Sequence, residues 1–256
     1  MKLILLASET RSSNILYNSI AEHFEINNVI IEKPINKITF LKVRYKKVGV
    51  FRFIDQILFL VILNKILFFF SRNRIQSLLK KNKLNSDEIP SSKIINVKSA
   101  NSKSTIDLIN MINADVIIVS GTRILSPKLI KASKARIINI HAGITPDYRG
   151  VHGAYWAIVN KDNGKIGVTL HYIDDGVDTG KVISQAIIEV NTIDNFSTYP
   201  LIQLSKGIDL IKSFLRDYNL NKKTNNKIIG DLNNSKQWYH PGFFEYLYYK
   251  IRYGFK

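Results

Sequence analysis

Apolar residues fall in short blocks along the chain. Residues 3–8, 28–32, 94–97, 115–120 and 137–140 are dominated by Leu, Ile and Val. Blocks of that length, rich in β-branched side chains and bounded by polar turns, predict strands buried on both faces. Between them, residues 12–24 and 104–112 repeat apolar positions at helical spacing. Ser126-Pro127 has the cap-then-proline order of a helix start. Further on, the pattern predicts a loop at 142–150, a helix near 153–160, strands near 165–173 and 181–190, and a helix over 198–216. Strand alternating with helix predicts an α/β fold with an open, mostly parallel sheet. Ligands of such sheets bind beyond the carboxyl ends of the strands.

Two segments break this rhythm. Residues 41–83 read as a basic, apolar, helical insertion. Between Lys42 and Lys83 stand eleven Lys and Arg and a single acid, Asp55, a local charge of +10. The window 49–70 is apolar apart from Arg52, Asp55, Gln56, Asn64 and Lys65. A spanning helix wants about 20 nearly uninterrupted apolar residues, so a helix lying in a membrane interface fits this window better. The competing reading is a helix buried against the domain or in a dimer. The second segment is the end of the chain, 217–256, read as a linker over 219–237 followed by an aromatic-basic tail. From Trp238 onward it carries nine aromatic rings along with Lys250, Arg252 and Lys256. Such rings suit a lipid–water boundary, the surface of their own domain, or nucleic-acid bases.

Charge and composition sharpen this picture only in part. The 256 residues carry a formal net charge of +17 and no cysteine. The charge asks for an anionic partner, whether nucleic acid, phospholipid or a phosphorylated small molecule. The missing cysteines exclude disulfides, thiolate zinc sites and cysteine nucleophiles. The apolar run at 3–7 is too short for a secretory signal. The expected location is the cytoplasm, with the inner face of its membrane as a further option.

Candidate chemistry is concentrated between residues 139 and 180. Asn139 and His141 are two apart at a strand end, so both point to one face. An amide and an imidazole there can donate to a developing oxyanion, and His can move a proton. Asp178, in the run Asp174-Asp175-Gly176-Val177-Asp178-Thr179-Gly180, can orient His141 or hold a water. No serine or cysteine stands in a nucleophile-elbow pattern. That suggests direct transfer between two bound substrates. No metal site is expected, because His141, His152, His171 and Asp178 lack the spacing of a helical metal motif.

Taken together, NIHAGITPDYRG (139–150), GVTLHYI (167–173) and DDGVDTG (174–180) resemble the formyltransferase family that uses 10-formyltetrahydrofolate. That family includes glycinamide ribonucleotide, methionyl-tRNA and sugar N-formyltransferases. The resemblance covers roughly 1–35 and 90–215 and implies a Rossmann-like catalytic domain over 1–216. It implies a catalytic trio of Asn139, His141 and Asp178, in which Asn139 and His141 stabilise the oxyanion and Asp178 holds the proton-transferring water. Arg123, Ile124 and Leu125, with Asp174 and Gly176, would contact the folate. Arg11, Ser12, Ser13 and Asn14 look like a degraded phosphate loop. Those four, with Tyr148, Arg149, Gly150 and His152, would bind the acceptor. Ala142, Gly143 and Thr145 depart from the usual Pro, Ser and Leu, and they change the loop facing the acceptor.

The resemblance therefore implies formyl transfer to a primary amine. An amino sugar on a nucleotide or lipid carrier best suits the basic additions. Glycinamide ribonucleotide and methionyl-tRNA are the alternatives, and a non-catalytic membrane- or nucleic-acid-binding relative is the alternative of another class. Expected partners are a phosphorylated small-molecule amine and a peripheral anionic membrane, contacted through 41–83 and 238–256. Nucleic acid is disfavoured, because most of the charge lies outside the recognisable region, and homo-oligomerisation stays open.

Overall fold

The computed structural model describes residues 1–222 and 235–254. The centre of the expected linker, 223–234, lies outside the described residues, as do 255 and 256. Seven strands form one sheet in the order β3 (Ile94–Val97), β2 (Ile26–Glu32), β1 (Leu3–Ser8), β4 (Val116–Ser120), β5 (Arg136–His141), β7 (Gly167–Tyr172), β8 (Val182–Ile187). The first five run parallel, while β7 and β8 are antiparallel to their neighbours. The open, mostly parallel sheet expected from the sequence is thus present.

Alternation along the central strands divides the core. Leu3, Leu5, Val29, Ile31, Val116, Ile118 and Ile138 face one side, packed by α1 (Arg11–Ala21) and α9 (Tyr199–Asn219). Ile4, Leu6, Ile30, Ile117, Val119 and Ile137 face the other, covered by α6 (Lys103–Ile112) and α7 (Pro127–Ala132). Both faces are buried, which is why these strands read as unbroken apolar runs. Thr10, Ser102 and Ser126 each cap a helix by accepting a backbone N–H, and Pro127 opens α7 as its sequence predicts.

The insertion is wholly helical. It comprises α2 (Lys37–Val48), α3 (Val50–Leu58), one π turn (Phe59–Leu63), α4 (Asn64–Phe70) and α5 (Arg72–Lys81). Val50–Phe70 runs as one helix of 21 residues, long and apolar enough to cross a membrane. Yet its inner positions Phe59, Leu63 and Leu67 pack into a third cluster with Tyr155, Trp156, Phe196 and Tyr246. Arg74 at the far end forms a two-point ion pair with Asp194, at 2.8 and 2.9 Å, which pins α5 beside the start of α9.

The chain's last segment belongs to the same body. Strand β9 (Gln237–Trp238) pairs in parallel with β6 (Arg149–Gly150). Trp238 stacks between Tyr148 and Trp156, with centroids 5.8 and 4.8 Å away. Helix α10 (Phe243–Tyr253) sends Tyr246 into the third cluster, fully buried. The expected aromatic tail is therefore a strand and a helix of the domain, and its rings are shared between core and surface.

Candidate active site

Strand β5 ends at His141, and the edge beyond its carboxyl end is where an open sheet leaves room for a ligand. Antiparallel pairing with β7 sets His171 opposite Asn139. Past β7, the 174–180 loop returns to the same edge. Asp174 accepts from the Gly176 N–H and the Thr179 hydroxyl, closing a tight turn. Asp178 follows with φ of +53°, a left-handed conformation that disfavours a non-glycine residue. Such strain gathers at functional sites, and here it brings the carboxylate to the two histidines.

The resulting cluster has four members. Asp178 Oδ2 lies 3.2 Å from His141 Nδ1 and accepts the Gly150 N–H at 2.9 Å. Asp178 Oδ1 is 3.6 Å from His171 Nε2. That same His171 nitrogen is 3.3 Å from Asn139 Nδ2. His171 Nδ1 is 2.7 Å from the Tyr172 carbonyl and must donate to it. In the neutral ring Nε2 then accepts the Asn139 amide proton, whereas in the cation Nε2 carries a proton and donates to Asp178 instead. The sequence motif assigns His171 no role of its own; the strand pairing sets it within hydrogen-bond reach of Asn139. Its signal was the sequence pair itself, since an antiparallel partner of Asn139 must lie on the same face.

His141 is buried, and both of its nitrogens face oxygen. Nε2 is 2.6 Å from the Tyr148 carbonyl, and Nδ1 faces Asp178. A neutral imidazole has one N–H, so only the cation donates to both; with both nitrogens so engaged, His141 has no free donor here for the oxyanion that the sequence resemblance assigned to it. Burial pulls His141 below its ordinary pKa, and the Asp178 carboxylate acts in the opposite sense. Burial pushes Asp178 up, but the His171 hydrogen bond, the charge of His141 and the Gly150 N–H outweigh it and hold Asp178 below the usual carboxylate range.

A cleft of about 380 Å³ opens over this cluster. Its walls include Asn139, His141, Gly150, Asp174, Gly176 and Asp178, together with the Gly121–Leu125 segment that follows β4. The trio and all five expected folate contacts thus share one cavity. The Arg123 guanidinium itself is engaged elsewhere, at 3.6 Å from Glu32 and bonded to the Lys33 and Lys98 carbonyls.

The expected acceptor residues divide differently. Tyr148 is a core residue, stacked on Trp238 with its hydroxyl on Asp162. Ser13 is buried and bonded to the cap residue Thr10. Asn14, half-buried on the same first turn of α1, lines none of the three cavities described here. Arg149 donates to the Val177 carbonyl and so braces the Asp178 loop. His152 bonds His240 at 2.8 Å. It also lines a second cavity of about 650 Å³ with Lys65, Phe68, Phe69 and Arg72 of the insertion. Arg11 and Ser12 line an adjoining hollow that shares Phe68, Ser197 and Pro200 with it. Among the described residues, no acid lines either hollow.

The formyl transferase family model matches residues 67–200. That segment is more than half of the chain, and it contains the whole cluster around His141. The chain belongs to the formyl transferase family. Methionyl-tRNA formyltransferase of Clostridioides difficile strain 630 is 36% identical over 120 residues, 46% of this chain and 38% of that protein. The chain thus spans about two fifths of the length of such curated relatives. Among solved structures, a 4-N formyltransferase from Francisella tularensis is 20% identical, with 93% of this chain and 76% of that chain covered and a TM-score of 0.57. A sugar N-formyltransferase from Shewanella sp FDAARGOS_354 is 16% identical with the same coverages and a TM-score of 0.56. These two share the fold.

Proposed function

We propose that this formyl transferase carries a formyl group from 10-formyltetrahydrofolate to the primary amine of an anionic acceptor, best an amino sugar carried on a phosphate. The carrying observation is the convergence of Asn139, His141 and Asp178 in one cleft with the 121–125 rim. The cleft suits a flat heteroaromatic ring. Val119, Leu125, Ile140 and Ile173 offer apolar walls, and the backbone at 123–125 and the Asp174–Gly176 turn offer polar edges. The folate, when bound there, supplies the formyl carbon.

The chain's own groups do the rest. Asn139 has two amide donors, of which His171 takes one; the other can meet the carbonyl oxygen on which negative charge accumulates. One such preorganised donor is worth about 10²–10³ in rate. A primary amine that gains a formyl group must release a proton. Asp178, ionised and 3.2 Å from His141, receives it at the cleft and passes it to His141. Protonated His141 then has donors for both oxygens that face it, so the cation is stabilised where it forms; as the bond between the formyl carbon and the folate nitrogen breaks, the proton returns by way of Asp178 to that nitrogen, so the folate leaves as a neutral amine and no proton is left over.

Acceptor recognition falls to the second cavity and its neighbouring hollow. Arg11, Lys65 and Arg72 bring positive charge there, and Ser12 and Ser197 bring hydroxyls. That set suits phosphate oxygens, and Phe68 and Phe69 suit a ring. The identity to methionyl-tRNA formyltransferase favours a second reading, formylation of an aminoacyl-tRNA. Purified protein with 10-formyltetrahydrofolate and a panel of amines decides, with N-formyl product read by mass. The panel is a nucleotide-linked amino sugar, glycinamide ribonucleotide and methionyl-tRNA. Product on the amino sugar is expected; product on methionyl-tRNA alone selects the second reading. Absence of any product together with absence of folate binding overturns the assignment.

A further inference from the structure

The helix Val50–Phe70 carries apolar side chains on every side, but only one side is covered. Phe59, Leu63 and Leu67 are buried in the domain, whereas Phe51 is 87% exposed and Phe70 80%. Ile54, Val61, Ile62, Ile66 and Phe69 are also exposed. A helix that is hydrophobic all round normally meets apolar surroundings all round. Helix α10 extends the feature. It is fastened to α3 through the Arg52–Glu245 ion pair at 3.2 Å and the Phe244 N–H on Asp55. Its own outward row, Phe244, Tyr248 and Ile251, follows at i, i+4 and i+7, with Ile251 84% exposed. Soluble monomers seldom expose apolar surface on this scale.

Charge indicates the occupant. Lys65 and Arg252 are exposed on these two helices, Lys42 and Lys46 on α2 and Arg72 on α5 at either end of Val50–Phe70, and the insertion carries a net +10. Apolar rows between cations are what an anionic lipid surface accommodates: side chains enter the acyl boundary while lysines and arginines meet headgroup phosphates. A second copy of this chain would bring the same positive field against itself, which opposes pairing. Spanning is opposed by the inner side. Gln56 is buried and bonds the His240 carbonyl, and Phe59 packs on Phe196 and Tyr246. Crossing the bilayer would strip the helix from its own domain.

We infer that the outer face of Val50–Phe70, with the Phe244–Ile251 row of α10, docks the protein peripherally on an anionic lipid bilayer. The helices lie along the surface, and the cavity rimmed by Lys65, Phe69 and Arg72 is held at the headgroup level. Phe69 belongs to both features, as an exposed residue of the apolar face and as part of the cavity wall.

The test uses the full chain in co-sedimentation with phosphatidylcholine vesicles, with and without phosphatidylglycerol. Binding to the anionic vesicles that weakens in high salt is expected, with little binding to phosphatidylcholine alone. The triple variant Phe51→Ser, Phe70→Ser, Ile251→Ser removes three exposed rings and chains without touching the core. Its partition should fall by about tenfold or more while its thermal midpoint and formyl transfer to a soluble acceptor stay unchanged. Failure to bind anionic vesicles, or binding indifferent to the triple variant, overturns the inference. So does resistance of the bound protein to alkaline carbonate, which marks a spanning helix. A concentration-dependent dimer in light scattering that the triple variant abolishes, without vesicle binding, also overturns it and assigns the face to self-association.

Discussion

Asn139 and His141 were legible because a strand's period of two places them on one face whatever the rest of the fold does. Asp178 was legible only as part of a motif, since its approach depends on a left-handed backbone that composition does not reveal. The approach of His171 to Asn139 was not legible, because it comes from pairing across 32 residues of sequence. Asn139→Ala removes a donor at the reacting oxygen and should lower kcat by about 10²–10³; circular dichroism and the thermal midpoint should remain those of the parent. His171→Ala leaves Asn139 unoriented and should lower kcat with little change in the folate KM. A glutamine there can still accept the Asn139 proton and should restore part of the rate. If His171 merely filled the core, the two substitutions would shift stability and leave kcat untouched.

Elements with long apolar periodicity were readable, and short ones were not. The expected strands and helices of the sheet domain stand within a few residues of their places. Strands β6 and β9 are two residues each, too short for any period, and they exist only because the chain returns across the Tyr148–Gly150 loop. The insertion read as helical, but periodicity could not say which side meets the protein. That side is fixed by contacts such as Arg74–Asp194. Asp194 is buried, so Arg74→Ala leaves an uncompensated carboxylate and should cost about 3–5 kcal/mol, measurable by urea denaturation. Trp238→Ala empties the stack between Tyr148 and Trp156 and should cost about 3 kcal/mol. It should also lower turnover, because β9 holds the strand whose Gly150 N–H holds Asp178.

Across the whole molecule, the +17 first pointed to any polyanion. Its placement is more informative than its size, because the largest share sits on helices outside the sheet domain and beside an uncovered apolar face. Buried histidines add a second global property. His240, bonded to His152 and packed under the insertion, is held down to about 4 by burial and by the nearby Arg44; His152 is lowered as well. A depressed folded pKa means that the unfolded chain takes up the proton first. Stability is therefore full above pH 6.5 and is lost as pH falls toward 4, by on the order of 3 kcal/mol for His240 alone. Thermal midpoints measured between pH 7 and 4 should show this slope, and His240→Gln should flatten it.

Strand β9 also sets a schedule. Translation delivers the chain from its N-terminus, so Asn139, His141, His171 and Asp178 have all left the ribosome well before Trp238. Until Trp238 arrives, Gly150 lacks its pairing partner and the carboxylate it anchors has no fixed seat. The nascent protein carries every reactive group for some sixty residues of synthesis before the site can take its working shape. A chain cut short inside that interval would hold the full catalytic complement and still be a poor catalyst.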